Sequence, residues 1–361
     1  MLSYGIRKEV RNMKHIIRLT LLASGLAVLL SGCGGNSVPV EKDTLRIGLL
    51  LDSVVVERWH RDRDIFSAKA KELGAEVIVQ NCNEDNATQE NQIREMAADG
   101  VDVLVVIPYD KDGLSDVIKS VRKKGIPVIS YDRLIRDAGV DLYISFDNVR
   151  VGDLMGSELL KKAPEGQYVI INGSPLDNNS YLFNQGYRDA LAEALQNNDI
   201  SILSETWAEA WRPENAYSDV HGLLTDNKRI DAIIAANDGL AGGAIRALAE
   251  NRMAGLIPVV GHDADLSACQ RIAEGTQYLT VYKPIKELAQ SAAEAAVLLA
   301  RGEKPVADDS IDDGSFQVPY VKFQPILVKR DNLVQTVIRD GFHTYDEVFR
   351  NVPEKERPAR E

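Results

Sequence analysis

Seven short apolar runs in this 361-residue chain are each followed closely by a cluster of polar or aromatic side chains. After LRIGLLLD comes Arg58-Trp59, after IPVIS comes Tyr131-Asp132-Arg133, and after QYVIING come Asp177, Asn178 and Asn179. Further on, ISILSE leads to Trp207 and Trp211, IDAIIAA to Asn237-Asp238, IPVVG to His262-Asp263, and LTVY to Lys283. Carboxylates accept hydrogen bonds, guanidinium and ammonium groups donate them, and Asn amides do both. Tryptophan adds a flat apolar partner for a ring face. Such a mixture satisfies a small polyhydroxylated ligand, whose hydroxyls both donate and accept around a ring with C–H faces. Each buried polar group left unpaired costs about 1–3 kcal/mol, so a complete set of partners selects one stereochemistry over another.

Each cluster taken singly has a plainer reading. RWHRDRD has the composition of a solvated helix start, Asp132-Arg133 of a local ion pair closing a turn, and Asp177 with its two Asn neighbours of a turn or N-cap. Trp211 beside Ala208 and Ala210 suits a core, Asn237-Asp238 a helix cap, and Lys283 before Pro284 a surface position. His262 has no metal-ligand spacing to the other histidines and reads as a neutral residue or as one behind the contact set. Their shared position, at the ends of apolar runs, is what joins them into one site.

The elements that must carry these residues begin after a leader. Arg7, Lys8, Arg11, Lys14 and Arg18 precede an apolar stretch, Leu19 to Leu30, too short to span a membrane stably. It ends in LSGC, which resembles the bacterial lipobox and implies cleavage before Cys33 and acylation of its thiol. Met1 and Met13 both offer a start. Residues 1–32 are thus a lipoprotein signal peptide and 33–44 a small, polar tether. The leader holds five Lys/Arg against Glu9, so the remainder carries a formal charge of −16 against −12 for the whole chain. That acidity excludes nucleic acid as a partner. Cys82 and Cys269 remain, either paired or as two buried thiols.

From Leu45 onward short β-branched runs alternate with segments of helical period, as in a parallel sheet covered by helices. The strand runs include AEVIVQ, VDVLVVI, DLYISF and a last one, VKFQPILV; helical segments include DIFSAKAKELG, RVGDLMGSELLKKA and PIKELAQSAAEAAVLLARG. Gly74, Gly100, Gly125 and Gly302 stand where helix C-caps are expected. The alternation pauses near SFDNVRVG and restarts, which predicts two similar α/β lobes. In open parallel sheets ligands sit beyond the carboxyl ends of the strands, where the clusters lie.

The blocks ERWHRDRDIF, YDRLIRDAGVDLYISFDNVRVG, GSPLDNNS, WRPENA, NDGLAGGAI, GHDADL and GTQYLTVYKPI are collinear over nearly the whole mature chain. In them the chain resembles the xylose-binding proteins of bacterial ABC importers, within the ribose/galactose type of periplasmic binding protein. The resemblance implies two Rossmann-like lobes with parallel sheets, joined by a three-segment hinge. The amino-terminal lobe is then 45–146 plus 283–323, the other 147–282 plus 324–350, and 351–361 a tail. Crossings fall near 146–149, 280–283 and 324–327. It places sugar contacts on Arg58, Trp59, Asp132, Arg133, Asp177, Asn179, Trp211, Asn237, Asp263 and Lys283, with the two tryptophans flanking the ring. The implied ligand is a monosaccharide, D-xylose first, and the implied partner an ABC permease; a sensor kinase or chemoreceptor reading the closed form is the alternative. Contact with the membrane is through the lipid anchor only. His60-Arg61 and the acidic insert DDSIDDGSF depart from the family pattern. No nucleophile elbow, phosphate loop, dinucleotide fingerprint or metal-spaced His/Cys set accompanies the cleft, so neither catalysis nor a cofactor or metal is expected. A sugar-responsive repressor would need a helix-turn-helix where this chain has an export signal.

Overall fold

The computed structural model describes residues 44–54 and 58–360. The leader, the Cys33 lipidation site and all of the tether but Thr44 lie outside the described residues.

The first sheet is built from β1 (Leu45–Leu51), β2 (Ala75–Asn81), β3 (Val103–Val106), β4 (Val128–Tyr131) and β5 (Leu142–Phe146). Helices α1 (Arg58–Glu72), α2 (Asn86–Ala98) and α3 (Ser115–Lys123) connect the first four strands. The second sheet contains β6 (Gly166–Asn172), β7 (Ile200–Trp207), β8 (Ala232–Ala235) and β9 (Val259–Val260). Around it lie α4 (Asn148–Lys162), α5 (Asn178–Gln196), α6 (Pro213–Thr225), α7 (Asp238–Glu250) and α8 (Leu266–Glu274). The chain continues through β10 (Thr280–Tyr282), α9 (Ile285–Ala300), β11 (Asp309–Asp312), β12 (Gln317–Phe323), β13 (Ile326–Val328) and α10 (Tyr345–Val348).

Strand order in the first sheet is β11-β12-β5-β4-β3-β1-β2, all parallel except the antiparallel edge strand β11. In the second it is β7-β6-β8-β9, all parallel. A bridge from Val260 to Leu279 carries the second sheet on to β10, which pairs antiparallel with β13. Strands covered on both faces are apolar throughout: VLVV of β3 and AIIA of β8 are wholly buried. Helix α3 buries Val117, Ile118 and Val121, one apolar stripe against the sheet. The alanine-rich α9 lays Ala289, Ala292, Ala293 and Ala296 into the core that holds Trp59, Phe66 and Ala70 of α1. The result is an α/β protein of two lobes. All four expected C-cap glycines adopt positive φ, between 77° and 86°.

Several expectations change at the level of single elements. VKFQPILV is not one strand: its first half completes β12 in the first sheet and its second half is β13, paired with β10. Pro325 between them removes a donor and breaks the run. The acidic DDSIDDGSF is not a loose insert but the hairpin of β11 and β12, held by Asp313, which accepts from the backbone N–H groups of Ala138, Gly139, Ser315 and Phe316. Among the described residues helix α1 starts at Arg58, so RWHRDRD is helical and forms its first described turns. PENAYSDVHGLLT, which the periodicity did not single out, is α6, with Pro213 in its first turn. Cys82 and Cys269 are separate buried thiols, closing the question of their pairing. The segment after 350 folds back: Tyr345 Oη donates to the carbonyl of Pro358 and Val352 is buried. Among the described residues no helix is long and apolar enough to cross a membrane.

Candidate functional site

All ten residues singled out in the sequence line one cavity with about 300 Å³ of space free of protein atoms. Two more line it, Phe183 and His262. The cavity lies beyond the carboxyl ends of strands from both parallel sheets, and side chains on the loops and helices that follow those strands line it.

On the side of the first sheet two arginines are fixed by carboxylates. Arg58, in the first turn of α1, donates from Nε and Nη2 to Asp62, one turn on, at 3.2 and 3.1 Å. Its Nη1 lies 3.0 Å from Asp132 and 3.8 Å from Asp263. Tyr131 donates to Asp62 from behind. Arg133 reaches Asp52 through Nη1 and Asp177 through Nε, each at 2.7 Å. Asp132 and Arg133 therefore do not close a turn by pairing with each other; each turns to a different partner. Asp132 holds a positive φ of 60°, and its carbonyl accepts from Ser145 Oγ at 2.6 Å and Asn179 Nδ2 at 3.0 Å. Both guanidinium carbons approach the Trp59 ring, at 4.7 and 5.5 Å from its centroid.

The opposite side is built on helix starts and aromatic rings. Asp177 caps α5 by accepting from the Asn179 N–H, and Asn237 caps α7 by accepting from the Leu240 N–H, both at 2.9 Å. The plainer cap reading and the cavity reading thus hold together. The cap spends one oxygen of each side chain and orients the rest. Asn179 also accepts from Asn148 at 2.9 Å and Tyr143 at 3.2 Å. Trp211, at a positive φ of 59°, lies over Gly173 at the end of β6, where a Cβ would sit 2.1 Å from its ring. Only glycine admits the indole there. Phe183 packs 4.4 Å from the His262 ring and 6.5 Å from Trp211, edge-on. Asp263 lies 3.2 Å from Lys283 Nζ and 3.1 Å from His262 Nδ1.

These charges are buried, and burial decides their titration first. Desolvation pushes the Asp62 and Asp177 carboxyls upward despite Arg58 and Arg133 beside them. Desolvation alone would depress Arg58, but Asp132, Asp62 and Asp263 outweigh it and hold the guanidinium well above its usual value. Arg133 behaves likewise through Asp177 and Asp52. Asp263 is held well below the usual carboxylate range against its own burial by His262, Lys283 and Arg58. Burial pushes His262 down to about 4, so at neutral pH the imidazole is uncharged and the cations that keep Asp263 ionised are Lys283 and Arg58.

Several polar atoms in this shell are buried without a hydrogen bond from the described residues: Nε1 of Trp59 and Trp211, and both ring nitrogens of His262. Asp132 Oδ2 and Asp263 Oδ1 are within ion-pair distance of cations but lack hydrogen-bond geometry. A cavity with partly used donors and acceptors on both sides has the chemistry that a ligand able both to donate and to accept could complete.

Phe183 and His262 escaped the sequence reading as cavity-lining residues. Phe183 sits four residues beyond Asn179 on α5, the spacing that puts both on one helix face, and that was the available signal. His262 had a signal in its place just past IPVVG beside Asp263, but the sequence reads it as neutral or behind the contact set, and the structure puts it in the lining.

Residues 47–304 match the family described as a periplasmic binding protein domain. The chain is 45% identical over 314 residues to the D-xylose-binding periplasmic protein of Escherichia coli, covering 87% of this chain and 95% of that one. It is 42% identical to the Haemophilus influenzae protein of the same description, covering 91% and 99%. A solved structure of a carbohydrate transporter solute binding protein from Chloroflexus aurantiacus, in complex with D-glucose, superimposes with a TM-score of 0.78 at 26% identity. It covers 84% of this chain and 98% of that one. An ABC transporter solute binding protein from Clostridium phytofermentans with bound β-D-glucose gives 0.76 at 27% identity, covering 84% and 99%.

Proposed function

The chain belongs to the periplasmic binding protein family, and on that premise we propose that it captures D-xylose outside the cytoplasmic membrane and delivers it to an ABC importer by closing its two lobes. It is a binding protein and not an enzyme. The observation that carries the reading is the charge balance of the cavity. Arg58, Arg133 and Lys283 are matched around it by Asp132, Asp177 and Asp263, so its cations are already answered by carboxylates and the ligand it suits is neutral. Hydroxyls both accept from those cations and donate to those carboxylates, while Trp59 on one side and Trp211 with Phe183 on the other supply apolar faces. The relatives from E. coli and H. influenzae are named for D-xylose, and the same sugar is the ligand proposed here.

In this reading one lobe is 45–146 plus 283–323 and the other 147–282 plus 324–350. Strand β5 ends at Phe146 and α4 then packs on α5; β10 ends at Tyr282 and α9 then packs on α1; β12 ends at Phe323 and β13 starts at Ile326. These are three places where the chain passes from one sheet's neighbourhood to the other's. Direct bonds then link the lobes: Arg133 to Asp177, Asn179 to Asp132, and Lys111 N–H to the Leu176 carbonyl at 2.8 Å. A sugar touching both walls favours the closed arrangement by its differential affinity, and the closed surface is what a permease distinguishes. LSGC at Cys33 supports an acylated, membrane-tethered form, which mass spectrometry of membrane-extracted protein checks.

Calorimetry against a panel of pentoses and hexoses tests the ligand. D-xylose is expected to bind at one site per chain with micromolar or tighter affinity, about −8 kcal/mol. Absence of heat with every monosaccharide, from folded protein, overturns the reading. X-ray scattering should show a smaller radius of gyration once the sugar is added.

A further inference from the structure

We propose that His262 is a further ligand-recognition residue of this cavity, its Nε2 accepting a hydrogen bond from one hydroxyl of the bound sugar. The inference rests on the reading of the cavity as a monosaccharide site. His262 lines the cavity, is 2% exposed, and has no hydrogen bond from the described residues at Nε2, while Nδ1 faces Asp263 Oδ1 at 3.1 Å. A purely space-filling partner for Phe183 would need no nitrogens, and a buried imidazole that leaves Nε2 unpaired opposes folding. The ring lies with its centroid 4.4 Å from that of Phe183 and 6.3 Å from that of Trp211.

The backbone leaves the ring little freedom. The His262 carbonyl accepts from Asp238 N–H at 2.9 Å, and the next residue, Asp263, donates from its N–H to Val281 at 2.9 Å. Asp263 and Ala264 hold positive φ of 97° and 56°. The segment between β9 and α8 is thus pinned on both sides of the ring.

The neighbouring carboxylate decides which nitrogen faces the ligand. Asp263 Oδ1 lies 3.1 Å from Nδ1, and an ionised carboxylate at that distance favours the tautomer with the proton on Nδ1. Nε2 then carries a bare lone pair. Lys283 and Arg58 offer the ligand only donors, and a hydroxyl that accepts from one of them has its own proton free to give to Nε2. His262 therefore reads the direction of a hydroxyl proton, which neither cation can do.

The test is calorimetry of wild type, H262F and H262Q with D-xylose and its four monodeoxy analogues. In wild type, one analogue should bind about five- to tenfold more weakly through loss of this bond. H262F should bind D-xylose weaker by a similar factor yet distinguish that analogue from the parent sugar by a smaller factor than wild type does, since only the bond to the cation is then left to lose, a non-additivity that mere packing would not produce. Losses that simply add for every analogue overturn the proposal. Where H262F does not fold, ¹⁵N spectroscopy of the wild-type imidazole decides: Nε2 should shift on adding D-xylose and stay unshifted with the matched deoxy sugar, and no shift with D-xylose overturns it. Failure of wild type to bind any monosaccharide removes the cavity reading itself, and this inference with it.

Discussion

The two walls of the cavity solve the same problem in different ways. The wall of the first sheet carries its polarity on long cationic side chains, and each guanidinium is held by two or more carboxylates that the protein itself supplies. The facing wall carries short side chains fixed by helix caps, with aromatic rings between them and nitrogens left unpaired. One wall is thus organised by charge before a ligand arrives. The other is organised by backbone and packing, and holds more of the ring nitrogens left in reserve, on Trp211 and His262 against Trp59 alone. Preorganised charge lowers what binding must spend on ordering, and reserved capacity is where a correct ligand gains over a wrong one.

The widest separation of the walls comes from Arg133→Ala. It strands Asp52 and Asp177 as unpaired buried carboxylates and removes a bond between the walls. Both sugar affinity and stability should fall, the affinity by about 2–5 kcal/mol, read by calorimetry and thermal unfolding. Near-wild-type affinity would mean that the charged wall does not face the ligand.

Titration probes the second wall. Burial holds His262 at about 4 from an ordinary 6.5, so the native state resists a proton that the unfolded chain takes up. This contribution is complete above pH 6.5 and is lost as pH falls through 4. It amounts to about 3 kcal/mol. Asp238, behind the same wall and pushed up to about 7 by burial, acts in the opposite sense, its contribution increasing as pH falls through 7. The difference in unfolding free energy between wild type and H262Q isolates the imidazole: wild type should lose ground to the variant between pH 7 and 4. A constant difference would place the ring in contact with solvent.

The aromatic pair sharpens the contrast on a smaller scale. Trp59→Leu and Trp211→Leu should each weaken sugar binding by about 0.5–1.5 kcal/mol beyond the area lost. Trp59 should also loosen Arg58 and Arg133, which both lie over its ring, so its variant should show the larger change in salt dependence of binding. Equal salt dependence in the two variants would make the walls electrostatically alike.

The smallest effect belongs to the rim, where Arg212 of the second wall meets Glu84 of the first at 2.6 Å. Arg212 is half exposed, so Glu84→Gln should cost at most about 1 kcal/mol in sugar affinity, seen as faster dissociation and vanishing at high salt. An effect that persists at high salt would point to packing instead.

Strand-end chemistry was legible because parallel α/β units alternate visibly and always present the same edge. Arg58, Asp132, Asp177, Asn237 and Lys283 could be picked out by their position just past the apolar runs, without knowing how the runs pair. Element edges were less legible. The break at Pro325, the hairpin under DDSIDDGSF and helix α6 all depend on pairing or packing partners far away in the chain. Helix α6, for example, buries little more than Ala216 and Val220, too narrow a stripe to stand out.

The amino-acid sequence by itself determined the two-lobed parallel-sheet class and the identity of the polar groups at the strand ends, because hydrophobic period and chain direction are local properties. Only the tertiary structure decided how those groups are paired. Arg133 turned away from its neighbour Asp132 to reach Asp52 and Asp177, and His262 came to rest against Phe183 beside Asp263. In a buried site the partners of a charge are chosen by which groups share its desolvated volume, and that volume exists only after residues far apart in the chain have folded around it.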